Sequence, residues 1–163
     1  MDNMEMIVQA HNLLLNGDAD ARAEAINVLG EAAYAPAVPA LADLVQESDP
    51  GTRFLAAQAL GRIGDEAESA VPALLKALRA DDMYLRMAIT GSLISIGEPA
   101  VPGLIKALFD NNRAVRRAAA KALGKIGHPR AISALRVANK DADAGVRKFA
   151  NEALTRLEPN IEE

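Results

Sequence analysis

The residues of this chain best suited to chemistry are its cations. Between Arg113 and Arg156 stand 11 Lys or Arg (113, 116, 117, 121, 125, 130, 136, 140, 147, 148 and 156) against Asp141, Asp143 and Glu152. Such a run has the charge to hold phosphates or acidic side chains. Against nucleic acid stand the acidic pI of about 5.3 and the 3% aromatic content, which leaves few rings for base stacking. A solvated or protein-binding face is the expectation. Covalent chemistry has little to draw on. There is no cysteine, so disulfides, thiolate zinc sites and thiol nucleophiles are all absent. Ser48, Ser69, Ser92, Ser95 and Ser133 have no His-Asp arrangement near them in sequence, and no G-x-x-x-x-G-K-[ST] loop exists. No catalytic residue, metal ligand or cofactor is expected.

What positions the cations is a repeat. Arg22, Arg53, Arg86, Arg116 and Arg147 recur at intervals of 31, 33, 30 and 31 residues. Each has Asp or Asn four residues earlier (Asp18, Asp49, Asp82, Asn112, Asp143) and Leu seven residues later (Leu29, Leu60, Leu93, Leu123, Leu154). A fixed period near 30 predicts stacked units that cannot bury their apolar faces alone. Within Asp49 to Ala80, Asp49-Pro50 supplies a cap and a ring pre-set at helical φ. Ala56, Ala57, Leu60 and Ile63 follow at helical spacing until Gly64. This is helix A. Val71-Pro72 opens helix B, whose Val71, Leu74, Leu75 and Leu78 form the apolar stripe assigned to the core. The Asp and Arg together read as a helix cap plus an ion pair between repeats, and Gly61, Gly64, Gly124 and Gly127 as helix ends and close packing points.

Residues 1–163 read as one domain. Residues 1–17 hold a capping helix with Ile7, Ala10 and Leu14 inward. Full repeats follow at 18–48, 49–80, 81–110 and 111–140, and residues 141–163 hold a half repeat and tail. Ten helices are predicted. Unit one has AAYAP where later units have a glycine-bounded loop, and that loop is expected to project Tyr34. Unit three departs most: Gly91 and Ser92 weaken helix A, and Met83, Tyr84, Met87 and Phe109 have no large counterparts. Charge is graded as well. Residues 1–80 hold 12 acidic and 5 basic side chains, net −7, whereas residues 81–163 hold 10 and 13, net +3. No basic leader and no run of 18 apolar residues is present, so a cytoplasmic protein without a membrane span is the expectation.

The pattern D-x-x-x-R, L-G-x-I-G, A-V-P-x-L resembles HEAT repeats, in particular the short HEAT-like repeats named after phycobilisome (phycocyanobilin) lyase subunits. It is carried by Asp49, Arg53, LGRIG at 60–64 and AVPALLKAL at 70–78. Arg116, LGKIG at 123–127 and AISAL at 131–135 carry it again, and AVPGLIKAL at 100–108 carries it in part. The resemblance implies an all-α, right-handed α-solenoid of about five helical-hairpin repeats, with B helices lining the concave side. Such repeats occur in bilin lyases, phycobilisome-degradation factors, deoxyhypusine hydroxylase and many scaffolds. The hydroxylase binds its irons through His-Glu pairs, and neither His11, followed by Asn12, nor His128, followed by Pro129, forms one. His128 stands where Asp is usual in such loops and reads as a solvated loop residue.

The expected function is a non-catalytic scaffold that binds a partner protein or peptide on the concave B-helix surface. The alternative is a bilin lyase subunit or bilin-handling factor with a phycobiliprotein partner. Positions two and five after the first residue of each B-helix stripe point away from the core: Ala40, Ala73, Gly103 and Ala134, then Asp43, Lys76, Lys106 and Val137. The candidate protein-binding residues are Asp43, Lys76, Arg79, Lys106, Phe109 and Lys140. Lys76, Arg79, Lys106 and Phe109 are their expected centre.

Overall fold

The computed structural model describes residues 3–47 and 49–158. Its helices are α1 (Asn3–Asn16), α2 (Ala19–Glu31), α3 (Val38–Leu44), α4 (Pro50–Ile63), α5 (Val71–Ala77), α6 (Met83–Ile96), α7 (Val101–Ala107), α8 (Arg113–Ile126), α9 (Ile132–Ala138) and α10 (Ala144–Leu157). Short 3-10 turns lead into α3, α5, α7 and α9, and no strand occurs among the described residues. The fold is an α-solenoid. The long helices α2, α4, α6, α8 and α10 pack side by side as the A layer, α1 lies on α2, and the short B helices α3, α5 and α7 each lean on the A helix that follows.

Local chemistry sets the helix ends. Asp18, Asp49, Asp82, Asn112 and Asp143 each accept a hydrogen bond from a backbone N–H of the first turn they cap. Gly64, Gly97 and Gly127 close α4, α6 and α8 at φ near +75°, which only glycine adopts without a Cβ penalty. Ala33 occupies the matching place after α2 with φ 48°. Ala33→Gly should therefore stabilise the protein, by about 1 kcal/mol or less, because relief of left-handed strain is partly offset by a freer unfolded chain. A lower thermal midpoint in the variant would contradict this.

The core is one continuous aliphatic seam. Leu29, Leu60, Leu93 and Leu123 are all fully buried, as the repeat predicts. Leu154 is only partly buried, because among the described residues no further A helix packs over α10. Two sequence expectations need correction. Tyr34 does not project. It packs against the core, with its ring edge-on to His11 at 5.5 Å. Leu75 is likewise only partly buried, and it leans over Gly103 of the next B helix.

The recurring arginines hold the stack, by a route the sequence did not show. The guanidinium of Arg53 donates to the carbonyl of Val45, Arg86 to Ala80, Arg116 to Asp110 and Asn111, and Arg147 to Asp141 and Ala142. Each thus meets carbonyls left open where the preceding B helix ends. Among the described residues, only two of the five recurring arginines also form an ion pair: Arg22 with Glu47 of its own repeat, 3.4 Å, and Arg116 with Asp141 of the next, 2.9 Å. Removing the Arg53 side chain leaves the Val45 carbonyl without this donor, so Arg53→Ala should cost about 1–3 kcal/mol in a urea titration. An unchanged midpoint would show that the contact is dispensable.

Candidate functional site

The B helices build the site because they are short and closely set. At Gly103 of α7 an added Cβ would lie 2.8 Å from Leu75 Cδ1 and 3.2 Å from Val71 Cγ1 of α5. A groove of about 660 Å³ runs between the two helices. Pro72, Leu75, Pro102 and Gly103 line its apolar part, and Lys76, Arg79 and Lys106 stand at its edge. Three of the six sequence-predicted residues therefore share one groove. The lysines are exposed and make no ion pair among the described residues. Arg79 is already engaged: its Nη2 lies 2.5 Å from Asp110 Oδ2.

Phe109 and Lys140 lie elsewhere. With Leu108, Arg136 and Val137 they line a second recess of about 490 Å³ between the ends of α7 and α9. Phe109 and Val137 are 56% and 57% exposed, so the recess presents two apolar side chains to solvent. Sequence reasoning placed Val137 on the outward row but did not join it to Phe109. The signal lay in the register: Phe109 and Val137 hold in α7 and α9 the places that Arg79 and Lys106 hold in α5 and α7, and both pairs line the recess between their two helices. Asp43 is exposed on α3 and lines neither recess.

Two carboxyls with lowered pKa stand at the start of α10. The Arg117 guanidinium, 2.5 Å away, holds the Asp143 carboxyl well below the usual range. Burial pushes Asp141 up, but hydrogen bonds from Arg116 and from the Asp143 N–H outweigh it and leave that carboxyl below its ordinary value. A carboxyl lowered in the folded state stabilises above its unfolded pKa, about 3.9, and that stability is lost as pH falls through the folded value. The stability gap between wild type and Asp143→Asn should therefore be largest at neutral pH and narrow below about pH 4. Urea midpoints measured across that range check the sign.

His128 stays a loop residue. Its Nδ1 accepts the Arg130 N–H at 3.2 Å, the capping job an Asp would do. No group of three or more His, Asp or Glu that could hold a metal ion occurs among the described residues. No single described helix is long and apolar enough to cross a membrane. Residues Met83–Ile96 and Glu98–Ala107 pass only together, across a bend of 114°, and most of their large apolar side chains are buried in the stack.

The geometry agrees with what is known of similar chains. The family profile for HEAT repeats matches residues 9–94 and 71–155. Among solved structures, the complex of CpcE and CpcF of phycocyanin lyase from Nostoc sp. PCC7120 is 27% identical, with a TM-score of 0.64 over 94% of this chain and 65% of that one, just under two thirds of its length. An archaeal HEAT-like repeat protein from Thermococcus onnurineus NA1 is 12% identical, with a TM-score of 0.69 over 98% of this chain and 74% of that one. A designed armadillo repeat protein in complex with the peptide (KR)4 is 17% identical, with a TM-score of 0.60 over 94% and 82%. No curated protein sequence matches. With two overlapping profile matches spanning nearly all of its helices, the chain belongs to the HEAT repeat family.

Proposed function

We propose that the protein is a non-catalytic binding module that holds a segment of a partner protein on its B-helix face. The observation that carries this reading is the groove between α5 and α7. It is a mainly apolar cleft lined by two exposed lysines that make no ion pair among the described residues, with Asp110 already paired to Arg79 and Glu68 the other carboxylate on it, and a second apolar recess with Lys140 lies one helix further on. A segment that alternates apolar and acidic residues fits this surface: apolar side chains enter the two recesses, and carboxylates meet Lys76 and Lys106. Two of the similar folds are themselves seen with a second chain, the CpcE–CpcF pair and the armadillo protein with its peptide, which supports a protein or peptide as ligand.

The test begins with a peptide array scored for acidic-apolar against basic-apolar segments, followed by affinity measurements on the best binder. Phe109→Ala should weaken binding by about 2 kcal/mol, or roughly 30-fold, as loss of a central aromatic anchor does. Lys76→Glu/Lys106→Glu should slow association and reduce its salt dependence. Arg113→Glu, on the A layer, should leave affinity unchanged. If only Arg113→Glu weakens binding, the B-helix face is not the site.

The CpcE–CpcF likeness favours a second reading, a subunit that pairs with another solenoid to handle a bilin or a phycobiliprotein. Mixing purified protein with phycocyanobilin and apo-phycocyanin tests it. A coloured complex that co-elutes with this chain supports that reading, and a colourless fraction overturns it.

A further inference from the structure

One helix of the A layer turns an uncharged row outward, and the next turns a row of cations. On α6 the outward positions, spaced four apart, are Met83, Met87, Gly91 and Ser95, with Tyr84 beside them. The same register on α8 holds Arg113, Arg117, Lys121 and Lys125, all exposed. Met83, Tyr84 and Met87 are each more than half exposed. Further along α6 a Cβ built on Gly91 would meet nothing within 4 Å, and a recess of about 360 Å³ lies over this stretch, with Gln58 and Arg62 of α4 on its other side. Large apolar side chains grouped in water on one helix face mark a contact.

Charge says what covers it. Neither α6 nor α8 contains an Asp or Glu. In the α8 row Arg117 is neutralised by Asp143 of α10, whereas Arg113, Lys121 and Lys125 make no ion pair among the described residues, and neither does Arg62 on the other flank of α6. The uncharged strip is thus bordered by unpaired cations on both sides. Acids stand at the ends of α6, Asp81 and Asp82 before it and Glu98 after it, not along it. Cations four residues apart on a helix lie about 6 Å apart along its axis, the same spacing as carboxylates four residues apart on a second helix. The strip seats the apolar stripe of such a helix, and the long Lys and Arg stems reach the edges of that stripe. An anionic bilayer fits less well, because Glu31 and Glu152, exposed in the matching rows of α2 and α10, would face its headgroups. A nucleic acid would leave the apolar side chains without a partner.

We infer that the A layer holds an acidic amphipathic helix of a second protein along α6, with its apolar stripe on Met83, Tyr84 and Met87 and its carboxylates facing Arg113, Lys121 and Lys125 on one edge and Arg62 on the other. This site is separate from the B-helix groove and does not depend on it. The probe is a stapled helical peptide of about 18 residues, with Leu at helical spacing along one stripe and Glu at every fourth residue along each edge of it. Fluorescence anisotropy reads its affinity, with circular dichroism on every protein variant. Binding should weaken by about tenfold or more in Met87→Glu and in Lys121→Glu/Lys125→Glu, and should fall with added salt. A peptide with Lys in place of Glu should bind the wild type no better than a scrambled one, and should bind Lys121→Glu/Lys125→Glu more tightly than the acidic peptide does. Lys76→Glu/Lys106→Glu should leave the affinity unchanged. A loss confined to that last variant puts the helix in the B-helix groove and overturns this inference, while the proposed function stands. So does an acidic peptide that binds no better than its scramble, a charge exchange that leaves the preference unswitched, or binding of anionic vesicles or duplex DNA through Met87, Lys121 and Lys125 in place of the peptide.

Discussion

Leu60→Ala and Leu123→Ala should each lower the unfolding free energy by about 2–5 kcal/mol, the cost of deleting fully buried leucine atoms and leaving a cavity that neighbours fill only in part. Both side chains are completely inaccessible, each at the same register beyond its arginine. The same truncation at Leu154, which is partly exposed on α10, should cost clearly less. Since each repeat touches only its neighbours, the loss at Leu60 or Leu123 also weakens both flanking interfaces. Urea unfolding followed by far-ultraviolet circular dichroism measures it. Losses under about 0.5 kcal/mol at both central positions would contradict the packing described.

The second large effect is expected from adding a single carbon. At Gly124 a Cβ would lie 2.8 Å from Ala153 Cβ and 3.3 Å from its Cα, and at Gly61 it would lie 3.0 Å from the Cα of Ser92. Neither neighbour has a flexible end that could swing away, so α8 and α10, or α4 and α6, must move apart. Gly124→Ala should therefore cost about 1–3 kcal/mol, even though Ala is otherwise the better helix former. Gly91→Ala is the counterpart. It sits mid-helix in open space and should stabilise by up to about 1 kcal/mol. Equal effects of the two substitutions would refute close A-helix packing as the reason for the recurring glycine.

Those glycines also account for an irregularity. Gly30, Gly61 and Gly124 each let the next A helix approach, whereas the matching position on α6 is Ile94. Accordingly α6 and α8 pack less closely than the other consecutive A helices. Ser92 offsets part of the weakness anticipated in unit three: its hydroxyl donates to the Ala57 carbonyl of α4 at 2.5 Å, a bond between helices that no glycine could make. Ser92 thus tightens α6 against α4, on the side away from Ile94.

The sequence by itself determined what depends on neighbours along the chain. Helix starts follow from an Asp or Asn side chain reaching an N–H two or three residues on, and three of the stops follow from a glycine free to take positive φ. Burial of the leucine row follows from helical periodicity, so register and layer were both legible. Tertiary structure alone decided which residue of one repeat meets which residue of the next, because spacing within a unit does not say how closely, or on which face, neighbouring helices pack. Four of the five arginines proved to bind backbone carbonyls at the end of the preceding B helix, and Arg22 bonds to the Glu47 carboxylate instead. Packing between units also turned Tyr34 inward onto His11 and set Leu75, partly buried at the edge of the core, over Gly103. The candidate site divided on the same ground. Lys76, Arg79 and Lys106 share the groove between α5 and α7, while Phe109, in the register of Arg79 one helix on, lines the next recess with Val137, in the register of Lys106.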